Sequence, residues 1–131
     1  MFFIHTTDDG RIPPWEYMPC SAVAPKIGQA MTMNSSGQLV AATGTTKPGY
    51  ISMCERSDAV EAGTLIPVIR VGADIIFETT ASAAITSVKP GNKLTISTDG
   101  LQVTATTEGG IAEVVETNGT EAGSKVKVRF V

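Results

Sequence analysis

Side chains that could do chemistry are few in this chain, and they are scattered. The single histidine, His5, precedes Asp8 and Asp9, offering one imidazole and two carboxylates to a cation. Asp8-Asp9-Gly10 lacks the periodic oxygen donors of a calcium loop, so no metal is expected. Any Ser-His-Asp or Cys-His catalytic set would have to be built on that same histidine. Glu113 and Glu116 lie in a segment that reads as strand, with no sign of a pocket. Glu61 and Glu121 each open the triplet Glu-Ala-Gly ahead of an apolar run. An acid recurring in the same turn context points to a structural role for the turn. Cys20 and Cys54 are too few for a disulfide scaffold and match no zinc spacing. They read as two buried or half-buried free thiols, with a single bridge as the alternative. The glycine-containing loops precede strands and not helices, so they make poor phosphate cradles. The expectation is a protein that is not an enzyme and has no cofactor.

Of the 131 residues, 42% are hydrophobic, enough for a core. Only 18% are charged, below the usual quarter, with Thr, Ser, Ala and Gly filling the deficit. Such a surface suits packing against other protein. The net charge is -3 and no basic block exists, which argues against nucleic acid. Lys125, Lys127 and Arg129 alternate, as on the wet face of a strand. No apolar run approaches a membrane span. The Met1-Phe2-Phe3-Ile4 start lacks the basic and long apolar regions of a secretion signal, so the cytosol is the expected site of assembly.

The elements that must carry these residues read as an internal repeat. Lys26–Val71 can be laid over Lys89–Val131, with Gly28 on Gly91, Gly37 on Gly100, Gly49 on Gly110, Glu55 on Glu116 and Glu61-Ala62-Gly63 on Glu121-Ala122-Gly123. Apolar positions follow: Met31 and Met33 over Leu94 and Ile96, and Ile66, Val68 and Val71 over Val126, Val128 and Val131. Each module reads as four short strands. In the second, Lys93–Thr98 alternates, Asp99-Gly100 signals a two-residue hairpin with positive φ at both positions, and Leu101, Val103 and Ala105 return. Gly109-Gly110 breaks the chain, Ile111–Thr117 follows, Asn118-Gly119 turns, and Ser124–Val131 closes with Val126, Val128 and Phe130 inward. The first module repeats this with Ser36-Gly37 at the hairpin and Pro48-Gly49 at the break. Its last strand, Leu65–Val71, is apolar on both faces, which means two-sided burial or a face reserved for a partner. Pro67 cannot donate to a ladder and predicts a free side there. No stretch has helical periodicity.

The expected architecture is therefore all-β: a barrel- or sandwich-like body of two tandem modules, residues 20–71 and 89–131, joined by a connecting strand and linker over 72–88. Residues 1–19 stand apart as an extended N-terminal arm. They hold Phe2, Phe3, His5, Trp15, Tyr17 and three prolines. Pro13 and Pro14 impose extended geometry. Trp and Tyr bury much area for few rotatable bonds and make good interface anchors. Ile12, Pro13, Pro14, Trp15, Tyr17 and Met18 are thus the candidate partner-binding residues. The competing reading folds Trp15 and Tyr17 back as a lid over the β core.

One family shares this phrasing. Ala24-Pro25-Lys26-Ile27-Gly28-Gln29-Ala30-Met31, then Gly37-Gln38-Leu39-Val40, Gly49-Tyr50-Ile51, and Glu61-Ala62-Gly63 with an apolar strand behind it, resembles small phage and prophage capsid cement or head decoration proteins over residues 20–80. The resemblance implies a virion protein on the outside of the phage head, added during or after shell expansion. It would bind major capsid protein as a symmetric homo-oligomer, often a trimer, without catalysis, cofactor, nucleic acid or membrane. On that view the 12–19 segment docks on the shell while the β modules form the cluster. The rival readings are a tail-tube, fibre or adhesin module, a carbohydrate-binding β-sandwich and a small hydrolase.

Overall fold

Short runs of alternating side chains bounded by glycine give ten strands and no helix. The computed structural model describes residues 1–131. In chain order the strands are β1 (Phe3–Thr7), β2 (Glu16–Cys20), β3 (Ala30–Met33), β4 (Leu39–Ala41), β5 (Tyr50–Ser52), β6 (Thr64–Arg70), β7 (Ile75–Thr80), β8 (Lys93–Leu94), β9 (Ala112–Asn118) and β10 (Lys125–Phe130). The chain is all-β with a sandwich-like body, as expected. β2-β4-β3-β5-β6 close into a barrel, and β1-β7-β10-β9-β8 form a five-stranded sheet.

The strands of the two halves pair in the same order. In the first half β6 pairs antiparallel with β2 and β5, β3 with β4 and β5, and Cys20 of β2 runs parallel to Leu39 of β4. In the second half β10 pairs antiparallel with β7 and β9, β8 pairs with β9, and isolated bridges join Ile96 to Val103 and Val103, in parallel, to Ala81. Ser21 N–H donates to Leu39 C=O at 3.0 Å, and Ser82 N–H to Val103 C=O at 2.8 Å. Lys26 N–H donates to the Gln29 side chain, and Lys89 N–H to the Asn92 side chain. The Glu-Ala-Gly turns match too. Gly63 and Gly123 sit at φ 90° and 88°, where only glycine is unstrained. Their N–H groups donate to Cys20 and Ala81 C=O, both at 2.8 Å. Gly49 and Ile111 donate equivalently to Met31 and Leu94, one position off the pairing of Gly49 with Gly110 read from sequence.

Two cores result. Six residues fill the barrel: Cys20, Met31, Leu39, Cys54, Ile66 and Val68. The larger cluster, of 17 residues, joins the barrel's outer face at Ala30, Ala42, Ile51 and Ile69 to the inner face of the sheet, including Phe77, Val126, Val128 and Phe130. β6 therefore has apolar residues on both faces because Ile66 and Val68 point into the barrel while Ile69 enters the shared core. β6 is paired on both sides, so the free side expected at Pro67 is not there: past the last register pair, Ser52–Val68, Pro67 C=O still accepts Met53 N–H at 2.9 Å, and only the donor is missing.

Three expectations need correction. Residues 1–19 are not a free arm: Phe2 is fully buried in the shared core, β1 pairs with β7, and β2 closes the barrel. The prolines do enforce extended backbone, but only in the crossing between those two strands. Asp99-Gly100 is not a two-residue turn with two positive φ values, since no non-glycine residue has positive φ. Asp99 instead accepts Leu101 N–H at 3.0 Å and the Ser97 hydroxyl at 2.6 Å, while Ser97 N–H reaches Gln102 C=O. A wider loop satisfied by the Asp side chain replaces the tight one. The 93–105 hairpin is also less regular than its alternation suggests: Thr95 N–H donates to Thr106 C=O while Thr104 N–H donates to Thr95 C=O, and only a bridge survives beyond β8.

Candidate interaction surface

The outer face of the β2–β6 ribbon follows from the barrel's alternation. Cys20, Ile66 and Val68 face the barrel interior, so Tyr17 and Pro19 of β2 and Leu65 and Pro67 of β6 turn outward. The register places Tyr17 opposite Pro67 and Pro19 opposite Leu65. Trp15, just ahead of β2, is 57% exposed, Tyr17 62% and Leu65 60%. Trp15 and Tyr17 thus form part of an exposed uncharged face and do not act as a lid. Exposed aromatics beside a large aliphatic mark contact surface more than isolated exposed apolar residues do.

The other sequence candidates divide. Ile12 is 80% exposed in the β1–β2 crossing, with Pro13 half-buried and Pro14 exposed beside it. Met18 does not join them, because it packs against the barrel core. Leu65 was not among the candidates; its signal was the strand's apolar character on both faces.

Charge is confined to the end of this ribbon. Arg70 grips Glu16 with both prongs, Nη2 to Oε1 at 2.8 Å and Nε to Oε2 at 3.0 Å, and its guanidinium lies 5.2 Å from the Tyr50 ring centre. The hydrogen bond from Arg70 holds the Glu16 carboxyl below the usual carboxylate range. An open groove beside this pair, between the β1–β2 crossing and the β6–β7 turn, is lined by Asp9, Arg11, Pro13, Arg70 and Asp74, with charges of both signs.

The residues first considered for chemistry stay apart. His5 is exposed on β1 and bonded to Thr6, Asp9 accepts Arg11 N–H, and no group of three or more His, Cys, Asp or Glu is placed to hold a metal. Cys20 and Cys54 are free thiols buried in the barrel core; burial, then the neighbouring Cys54, pushes the Cys20 thiol up.

The corresponding ribbon of the second half, β7–β10, has the opposite character. Glu78 lies opposite Lys127 and Thr80 opposite Lys125, where the first half has Tyr17–Pro67 and Pro19–Leu65. Lys125 approaches Glu78 at 3.7 Å and Lys127 approaches Glu116 at 3.1 Å. One ribbon is a solvated charge lattice, while its geometric equivalent is aromatic and aliphatic.

No family model matches the sequence, and no curated protein matches it. Among solved structures the chain is similar in fold to the N base of the head fibre protein gp8.5 of bacteriophage phi29. The two share 17% identity with a TM-score of 0.54, over 90% of this chain and 95% of that one.

Proposed function

We propose that this chain is a structural, non-enzymatic virion protein of a tailed phage, carried on the outside of the head and assembled in the host cytoplasm. It binds major capsid protein as a symmetric homo-oligomer, a trimer or another symmetric cluster, and stabilises the expanded shell. The observation that carries the reading is the likeness in fold to a phage head fibre base across nearly the whole chain. The uncharged ribbon bearing Trp15, Tyr17 and Leu65, with Ile12 beside it, supplies a docking face. The reading takes the two halves as copies of one unit, in which one copy kept a solvated ribbon and the other became the contact. Binding that exists only on the expanded shell stabilises that state by mass action, and several copies held in one cluster multiply a modest interface.

The test mixes purified protein with expanded heads that lack it and measures co-sedimentation, followed by the temperature at which the heads disrupt. The protein should pellet with heads and raise that temperature; protein left in the supernatant refutes the reading. Point variants are the tools here, because a 1–19 truncation would open the barrel. The phi29 likeness also favours a second reading, a base that anchors a fibre. Heads that bind the protein but disrupt at an unchanged temperature would select it.

A further inference from the structure

We infer that the open edge of β2 at Tyr17 is a strand-addition site, and that its occupant is an extended, uncharged segment of a shell subunit. The inference rests on the head-surface reading above.

The edge is identified by the ladder itself. Pro67 gives its C=O to Met53 N–H on the β5 side. In an antiparallel ladder a residue directs both backbone groups to the same side. Tyr17, opposite Pro67, therefore turns its own N–H and C=O away from β6. On that far side β2 meets only β4, at Cys20–Leu39, supported by Ser21 N–H to Leu39 C=O. The backbone of Tyr17 is left without a partner strand. Pro19 on the same side has no N–H to offer, so within β2 itself the edge presents one donor, at Tyr17, with the Trp15 N–H unpaired just ahead of it.

The second half contains the filled version of this edge. β7 occupies the place of β2: it pairs with β10 on one side, and beyond Thr80 it meets Val103 in parallel through Ala81, as Cys20 meets Leu39. Its other side is covered by β1, with Phe3 opposite Glu78, Ile4 opposite Phe77 and Thr6 opposite Ile76. Glu78 is the counterpart of Tyr17, since each stands opposite the second outward residue of its partner strand. Where Glu78 has Phe3, Tyr17 has nothing. An added strand would run along residues 15–18 as β1 runs along β7.

The flanking side chains set the occupant's chemistry. Trp15, Tyr17, Pro19, Leu65 and Pro67 carry no charge, and a charged side chain buried against them would lose its hydration without gaining a counter-ion. Backbone pairing would give affinity, and alternate side chains over Trp15 and Tyr17 would give selectivity.

The experiment compares wild type, Tyr17→Ala and Tyr17→Pro for co-sedimentation with expanded heads lacking the protein. Both variants lose the ring, but only Tyr17→Pro loses the outward N–H, and the β6 ladder does not use that group. Tyr17→Pro should bind about tenfold more weakly than Tyr17→Ala; equal binding by the two overturns the site while leaving the head reading intact. A wild type that fails to sediment overturns both. Because Tyr17→Pro could lose its fold, hydrogen exchange at the Tyr17 amide is followed in wild type, free and on heads. Protection gained on heads supports strand addition, and unchanged exchange in the pelleted protein overturns it.

Discussion

Replacing Phe2 with Ala tests whether the front of the chain is part of the body. Phe2 is fully buried, its ring centre is 5.3 Å from that of Phe130, and Phe130 is 5.6 Å from Phe77. Its N–H also donates to Gly28 C=O at 2.8 Å, tying the sheet side to the barrel side. Truncating a buried Phe to Ala costs about 3–5 kcal/mol through lost transfer energy and the remaining cavity, and the tilted aromatic contacts with Phe130 place this site toward the upper part of that range. With an unfolding entropy of about 2.1 cal/mol/K per residue, a chain of this length has about 0.28 kcal/mol/K in total. The expected fall in Tm is therefore about 14–18 °C. Thermal unfolding followed by circular dichroism, with urea titration to check that the slope is unchanged, measures it. Phe3→Ala is the control: Phe3 is 51% exposed, and its loss should stay within about 0.5 kcal/mol. A Phe2→Ala protein that melts within about 4 °C of wild type would mean that the segment does not hold the core together.

Gly110→Ala would push a methyl into the Lys93 carbonyl and to within 2.7 Å of Leu94 N, so a loss of about 2–3 kcal/mol is expected in chemical denaturation. Gly49→Ala meets nothing within 4 Å and has no positive φ, and should be neutral or stabilising by up to about 1 kcal/mol. Trp15→Ala and Leu65→Ala should leave stability within about 0.5 kcal/mol yet reduce co-sedimentation with heads; a large drop in Tm would reassign them to the core. Burial raises the Cys20 thiol, so the folded state favours the protonated form. Its contribution is complete below the ordinary thiol range and is lost as pH rises through the raised value; native protein at pH 7 should label far more slowly with a thiol reagent than urea-unfolded protein, and equal rates would contradict the barrel packing.

Much of this architecture was legible because β10 alternates cleanly and because glycine marks the same turns in both halves. Val126, Val128 and Phe130 are buried while Lys125 and Lys127 stay on the wet face, since period two needs no knowledge of partners. Partners chosen far along the chain were not legible. Phe2 and Phe3 look alike in sequence, yet one enters a core completed by Phe130 and the other faces outward. Prolines 13 and 14 announced extended backbone but could not say that both ends of that stretch were claimed by ladders. The surface was half legible: Trp15 and Tyr17 stood out by type, whereas Leu65 and Met18 exchange roles only once the barrel closes and fixes which face is inside.

The order in which strands leave the ribosome has a consequence. The first strand to emerge, β1, has its partner β7 some seventy residues later, and β7 in turn waits for β10 at the far end. The barrel half can close early through β2–β6, but its outer face at Ile51 and Ile69 stays uncovered until the last strand arrives. Such long-range pairing slows folding and leaves that apolar face open to other chains until it is covered. Expression at lower temperature, or alongside chaperones, is then the condition under which the nascent chain reaches its native pairing before it meets another copy of itself.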